Sequence, residues 1–233
     1  MESDAVIFLL LGALSISTAI SSDSGTLIMK LYFTPATCSF SPHIVLQELG
    51  LPYKLVRVNN RTKRTSEGGD FLAVNPKGYV AALMLGSNEV LTEGPAIIQF
   101  LADLKPASGL APANGTLARV RLQEWLNFIT SEVHAGSSPL FNKDLPEDVT
   151  EIFRHRLFRR FDVIASHLAS QDYLMGNVFM VADAYLFTVL GWMKIFSIDL
   201  DRWPTIAGYM QRIGARPSVE AALAREAEIP PVE

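Results

Sequence analysis

The sequence predicts two units in series: an α/β unit with element order βαβ then ββα, followed by an all-helical unit. Three observations carry this. Short apolar runs bounded by Gly, Pro and Asn fill residues 29–92. A stretch rich in Pro, Ala and Gly, residues 105–115, interrupts the pattern. After it, every apolar repeat has helical spacing.

Leu27 to Phe33 (LIMKLYF) reads as a buried strand that ends at Thr34-Pro35. Ser41-Pro42 reads as an N-cap followed by proline in the first helical position, opening a helix through Leu49 that Gly50 terminates. Tyr53 to Val58 alternates polar and apolar residues and is a second strand. Arg61 to Asp70 is a polar, basic loop with a short helix after it, and Asn75-Pro76-Lys77-Gly78 is a turn. Ala82–Leu85 and Glu89–Leu91 flank Gly86-Ser87-Asn88 as a β-hairpin. Gly94-Pro95 starts a helix to Leu104. This order is that of a thioredoxin-like domain, over residues 29–105, with the linker at 106–115.

The second domain, residues 116–233, is all-helical. Leu122, Leu126, Ile129 and Val133 form an apolar stripe on a helix from Leu117 to His134. Phe153, Leu157, Phe161, Ile164 and Leu168 form another on Ile152 to Leu168. Asp183 to Phe196 is apolar nearly all round and is the expected central helix. Thr205 to Ile213 and Ser218 to Glu226 are shorter amphipathic helices.

Composition narrows the function. With 49% hydrophobic and 19% charged residues the chain is globular. A net charge of -4 gives no field that attracts a polyanion, so nucleic acid is not an expected partner. The lone cysteine, Cys38, forms no internal disulfide, and the four histidines lack ligand spacing, so no metal is expected. Residues 1–28 hold a short apolar run, Val6 to Leu14, behind an acidic start. They read either as a weak signal-like segment or, as we prefer, as an extension ahead of a true start at Met29. The run is too short to span a bilayer. A reduced cysteine suits the cytoplasm, with export as the alternative if residues 1–21 act as a signal.

Three constellations carry chemistry. Cys38 lies between a strand end and a helix start, where free N–H donors and the helix dipole favour a thiolate. Position alone fits a small buried hydrophobe equally well. Glu93 beside Gly94, at the start of a helix, pairs a carboxylate for an ammonium group with backbone donors for a carboxylate, which suits a zwitterionic peptide. A turn with a capping acid would look the same. Asn127 and His134, seven residues apart, share one polar helix face with Gln123 and Ser131 nearby; that face meets either solvent or a cleft.

From Met29 onward the chain resembles the bacterial beta-class glutathione S-transferases. The matching blocks are MKLYFTPATCSFSPHIVLQELG, FLAVNPKGYV, VLTEGPAIIQFLAD, EWLNFITSEVH, ADAYLFTVLGW and ARPSVEAAL, in order. The resemblance implies a homodimer that binds glutathione in the thioredoxin-like domain and a small apolar electrophile against the helical domain. It implies that Cys38 faces the glutathione sulfur with Ser39 beside it. Lys63 and the Val80 backbone would hold the tripeptide, Glu93 and the Gly94 amide its γ-glutamyl end, and Asn127 and His134 would reach in from the helices. Conjugation, and thiol–disulfide or peroxide chemistry through Cys38, are both open.

Three positions depart from the family pattern. Ala81 replaces a proline that follows the valine through a cis bond; before alanine the bond either turns trans and reshapes the site or remains cis. Met180 replaces the Ser or Thr that caps the helix of Asp183. Ala135 stands where a lysine often follows the histidine. Ala81 is the feature behind a second reading, a binding or regulatory relative with weakened catalysis.

Overall fold

The computed structural model describes residues 28–233. The readings of the N-terminal extension, and of Leu27 as a strand start, fall on residues outside that range. The first domain is a four-stranded sheet in the order β2-β1-β3-β4. β1 (Met29–Phe33) pairs parallel with β2 (Tyr53–Arg57) and antiparallel with β3 (Ala82–Met84), which pairs antiparallel with β4 (Val90–Thr92). Side chains alternate between the two faces of each strand. Leu31 and Phe33 enter the main core with α1 (Phe40–Leu49) and α2 (Gly94–Leu104), while Tyr32 and Val56 meet Phe71 on the opposite face.

The crossover helix α1 ends as its sequence predicts. Gly50 takes the left-handed conformation, φ 57°, and its N–H closes on the carbonyls of Gln47 and Leu46. The start differs by two residues: helical geometry begins at Phe40, so Ser41 and Pro42 lie inside the first turn. Ser41 Oγ donates instead to the Cys38 carbonyl at 3.0 Å. The Val80–Ala81 bond is cis.

The helical domain begins with α3 (Leu117–Phe128), capped by Thr116, whose hydroxyl accepts from Arg119 N–H. The expected single helix to His134 does not run through. Ile129–His134 is a π-helical turn, followed by α4 (Ala135–Ser137) and a 3₁₀ turn, Ser138–Phe141. Beyond it come α5 (Glu147–Leu168), α6 (Val181–Leu190), α7 (Pro204–Gly214) and α8 (Pro217–Ala227). The central helix α6 is buried on nearly all sides, yet it tightens into a 3₁₀ turn at Gly191–Lys194 and ends short of Phe196.

The α6 start rests mainly on Asp183. The Met180 thioether is only a weak acceptor, and the Asp183 N–H turns back to the Met180 carbonyl at 2.9 Å. The buried Asp183 carboxylate accepts from the N–H groups of Leu174 (2.9 Å) and Met180 (2.8 Å) and from the Tyr209 hydroxyl (3.0 Å). Burial pushes its carboxyl up to about 6, against the pull of those three donors.

Polar contacts tie the two domains together. His43 is buried on α1, with Nδ1 at 2.9 Å from Glu226 of α8 and Nε2 at 2.8 Å from the Tyr53 hydroxyl. Glu48 on α1 accepts from Arg216 and Ser218 beside the start of α8. The chain end returns to the first domain as well. Arg57 Nη1 donates to the Ile229 carbonyl at 2.5 Å and Asn59 Nδ2 to the Val232 carbonyl at 2.8 Å.

Candidate active site

A cleft of 240 Å³ opens between the sheet domain and the turn 129–134 of the helical domain. Its sheet-side wall holds Cys38, Val80 and Ala81, its mouth Lys77, Tyr79 and Glu93, and its helical wall Thr130, His134 and Tyr185.

Cys38 is placed by a loop that saturates its own polar groups. The Thr34 N–H donates to Ser39 Oγ at 3.2 Å, and Thr37 Oγ1 donates to the Thr34 carbonyl at 2.8 Å while lying 2.8 Å from Ser39 Oγ. Ser39 is fully buried in this net and does not line the cleft, so any part it takes in the site is through the Cys38 loop. The Cys38 thiol donates to the Val80 carbonyl at 3.1 Å.

Of the two readings open for Cys38, a helix-start thiolate and a buried thiol, its surroundings favour the second. Burial pushes the Cys38 thiol up to about 11, more than its own and the Ala81 backbone N–H groups pull it down, and Glu93 adds to the rise. The helix start gives little relief because its N–H groups are already engaged: Phe40 bonds the Thr37 carbonyl at 3.1 Å and Ser41 that of Cys38 at 3.4 Å. At neutral pH Cys38 is therefore a thiol, a hydrogen-bond donor.

Glu93 sits at the junction of β4 and α2 with φ 68°, ahead of Gly94 and Pro95. Its carboxylate accepts from Lys77 Nζ at 2.6 Å, and the same ammonium donates to Thr92 Oγ1 at 3.0 Å. Both partners are more than half exposed, so the pair is screened by water and open to exchange. Lys77 was visible in the sequence only as part of a turn. Asn75, buried beside it, holds that turn by donating to the Tyr79 carbonyl at 2.7 Å. Lys63 lies behind the turn and outside the cleft lining, its Nζ donating to the Gly78 carbonyl at 2.8 Å and standing 5.8 Å from the Tyr79 ring centroid.

On the helical side, His134 lines the cleft and Asn127 does not. In an α-helix residues seven apart nearly eclipse, but the π-helical turn advances less per residue and puts His134 out of that phase. Asn127 and Ser131 face solvent, while Thr130 and His134 line the cleft. His134 Nδ1 lies 2.7 Å from the Tyr185 hydroxyl, and its ring packs against Trp192 at 4.8 Å between centroids. Burial pushes the imidazole below its ordinary value, so at neutral pH it is uncharged. Tyr185 was read only as part of an apolar helix. A phenol inside such a helix needs a partner for its hydroxyl, and that was the available signal.

One end of the cleft thus holds a thiol, a neutral imidazole and a phenol; the other holds a carboxylate, an ammonium and a helix start. The arrangement can seat a small zwitterion that carries a nucleophilic sulfur.

Comparison with known proteins agrees. Residues 37–104 match the family model described as "Glutathione S-transferase, N-terminal domain", and 128–217 that described as "Glutathione S-transferase, C-terminal domain". Glutathione S-transferase GstA of Escherichia coli O157:H7 is 41% identical over 198 residues, covering 85% of this chain and 98% of that one. A glutathione transferase from Methylococcus capsulatus superposes with a TM-score of 0.84 at 51% identity, covering 86% of this chain and 99% of that one. A sphingomonad glutathione S-transferase complexed with glutathione does so with 0.82 at 42%, covering 85% and 99%. With both domain models matched in order and this identity sustained across the fold, the chain belongs to the glutathione S-transferase family.

Proposed function

We propose that the protein binds reduced glutathione in this cleft and transfers its sulfur to electrophilic carbon in small, mostly apolar molecules. What carries the reading is the meeting in one cleft of Cys38 and His134 with the Lys77–Glu93 pair. The γ-glutamyl ammonium would take the Glu93 carboxylate from Lys77, freeing that lysine for a ligand carboxylate, with the Gly94 amide alongside. Lys63 would act through the Gly78–Tyr79 turn, and the Val80 backbone lies where the cysteinyl part would pass. The glutathione thiol, with an ordinary pKa near about 8.5, is mostly protonated at neutral pH, so donors that favour its thiolate accelerate attack. The thiolate electron pair forms the carbon–sulfur bond and the thiol proton passes to solvent; a halide departs with its bonding pair, whereas an enone's π pair moves to the enolate, which takes a proton from solvent.

The same chemistry weighs between the two activities left open by the sequence. A thiol held near 11 is a poor nucleophile at neutral pH, which weighs against thiol–disulfide exchange through Cys38. We read the protein as a homodimer, as the resemblance to the beta class implies, and as cytoplasmic, the compartment that a reduced lone cysteine suits. Calorimetric titration of reduced glutathione into the full chain, followed by turnover on a panel of aromatic halides and enones, tests the reading. Micromolar to millimolar binding with turnover supports it; binding without turnover moves it to the binding or regulatory alternative.

A further inference from the structure

Tyr185 enters the cleft wall from α6, and the reaction set out above makes no use of its hydroxyl. Its side chain is 1% exposed, so the phenolic proton must go to a protein partner. Two are within reach: His134 Nδ1 at 2.7 Å and Thr130 Oγ1 at 3.4 Å. Thr130 has already given its own proton to the Leu126 carbonyl, 2.8 Å away, which can only accept. Its remaining bond to Tyr185 is at the outer limit of hydrogen-bond length. Nδ1 is therefore the better recipient.

A neutral imidazole that accepts at Nδ1 carries its proton at Nε2. Among the described residues Nε2 has no hydrogen-bond partner, and the ring lines the same cleft as Cys38. Trp192, packed edge-on at 4.8 Å, holds the ring from behind. Burial favours these protonation states: it raises the phenol far above its ordinary range and lowers the imidazole, so a phenol meets an uncharged base.

We propose that Tyr185 is a positioning residue: its hydroxyl donates to Nδ1 of His134 and fixes the imidazole as the Nε2–H tautomer, presenting a proton donor to the glutathione sulfur. The role in turnover rests on the transfer reaction proposed above; the tautomer does not. The N–H at Nε2 gives the thiolate a donor that carries no charge, on the wall opposite Cys38, whose own thiol proton is directed to the Val80 carbonyl.

Two measurements on the ¹⁵N-labelled full chain and its Tyr185→Phe variant test this. Imidazole ¹H–¹⁵N correlation spectra near pH 7.5, with His134 identified by its loss in His134→Gln, are expected to show a protonated Nε2 and a bare Nδ1. In Tyr185→Phe the tautomers should mix. Steady-state kinetics should show kcat down about tenfold with KM for glutathione within about twofold, the split expected when a transition-state contact is lost. An Nδ1–H tautomer in the native protein overturns the proposal, whether or not the variant folds. So does a variant that keeps full kcat, with or without a tautomer change. If the native protein turns over no electrophile, the transfer reading fails alone, and the spectra still decide the tautomer.

Discussion

At the scale of single residues, Cys38 shows burial overruling position. The sequence places it at a helix start, where a thiolate is favoured, but the first-turn N–H groups are occupied and the thiol sits in a largely desolvated wall. Because it is the chain's one cysteine, alkylation with iodoacetamide reads it directly by mass. The native protein should react at pH 7.5 roughly a hundredfold more slowly than a free thiol of pKa about 8.5, since its thiolate fraction is smaller by that order. The rate should climb only as pH approaches 11. Stability follows with a definite sign. Between the unfolded value near 9 and the folded value near 11 the native state keeps a proton that the unfolded chain has lost. Unfolding free energy therefore falls as pH rises through that window. At the other end of the cleft, Glu93→Gln removes the charge that receives an ammonium. Its glutathione Kd should rise about tenfold by calorimetry, equivalent to about 1.4 kcal/mol.

Among the elements, the helix starts and the π-helical turn matter most. α6 has a lopsided capping box: the Asp183 carboxylate serves three donors, while Met180 returns at best a weak thioether acceptor. Met180→Thr should gain about 0.5–1 kcal/mol in urea unfolding by supplying a stronger acceptor. Asp183→Ala should lose about 3 kcal/mol or more, because it strands buried N–H and O–H groups. Both effects follow from residues the sequence makes visible. The turn at 129–134 does not, because hydrophobic spacing reports burial and not hydrogen-bond order: Ile129 and Val133 remain core residues whether the backbone closes i→i+4 or i→i+5. This is why the strands, the helix end at Gly50, the helix start at Gly94 and most of the apolar helix faces could be read from the chain, while the separation of Asn127 from His134 could not. Lys77, Thr130 and Tyr185 escaped for a related reason. Each is an ordinary residue in its own element and joins the site only when separate elements meet.

Over the whole molecule, the two domains share one core and a buried polar seam. His43 joins α1 to α8 through Glu226, and the main core runs from the sheet through α6 without a break. They should unfold as a unit. The three tryptophans, Trp125, Trp192 and Trp203, all report the helical domain, and Cys38 reports the sheet domain. Urea transitions followed by fluorescence and by thiol accessibility should coincide; a sheet domain that exposes Cys38 first would refute the coupling. Glu226→Ala should shift both midpoints together, by about 1–3 kcal/mol, because it leaves an imidazole nitrogen unpaired in the seam. The tail beyond α8 extends the coupling. Its carbonyls at Ile229 and Val232 are taken by Arg57 and Asn59, the residues that lead into the Lys63 loop. A purification tag fused after Glu233 would start against that loop, and a deletion from Ile229 onward would free it. For anyone preparing the protein, the choice of which end to tag is thus a choice about the loop that holds Lys63 behind the cleft.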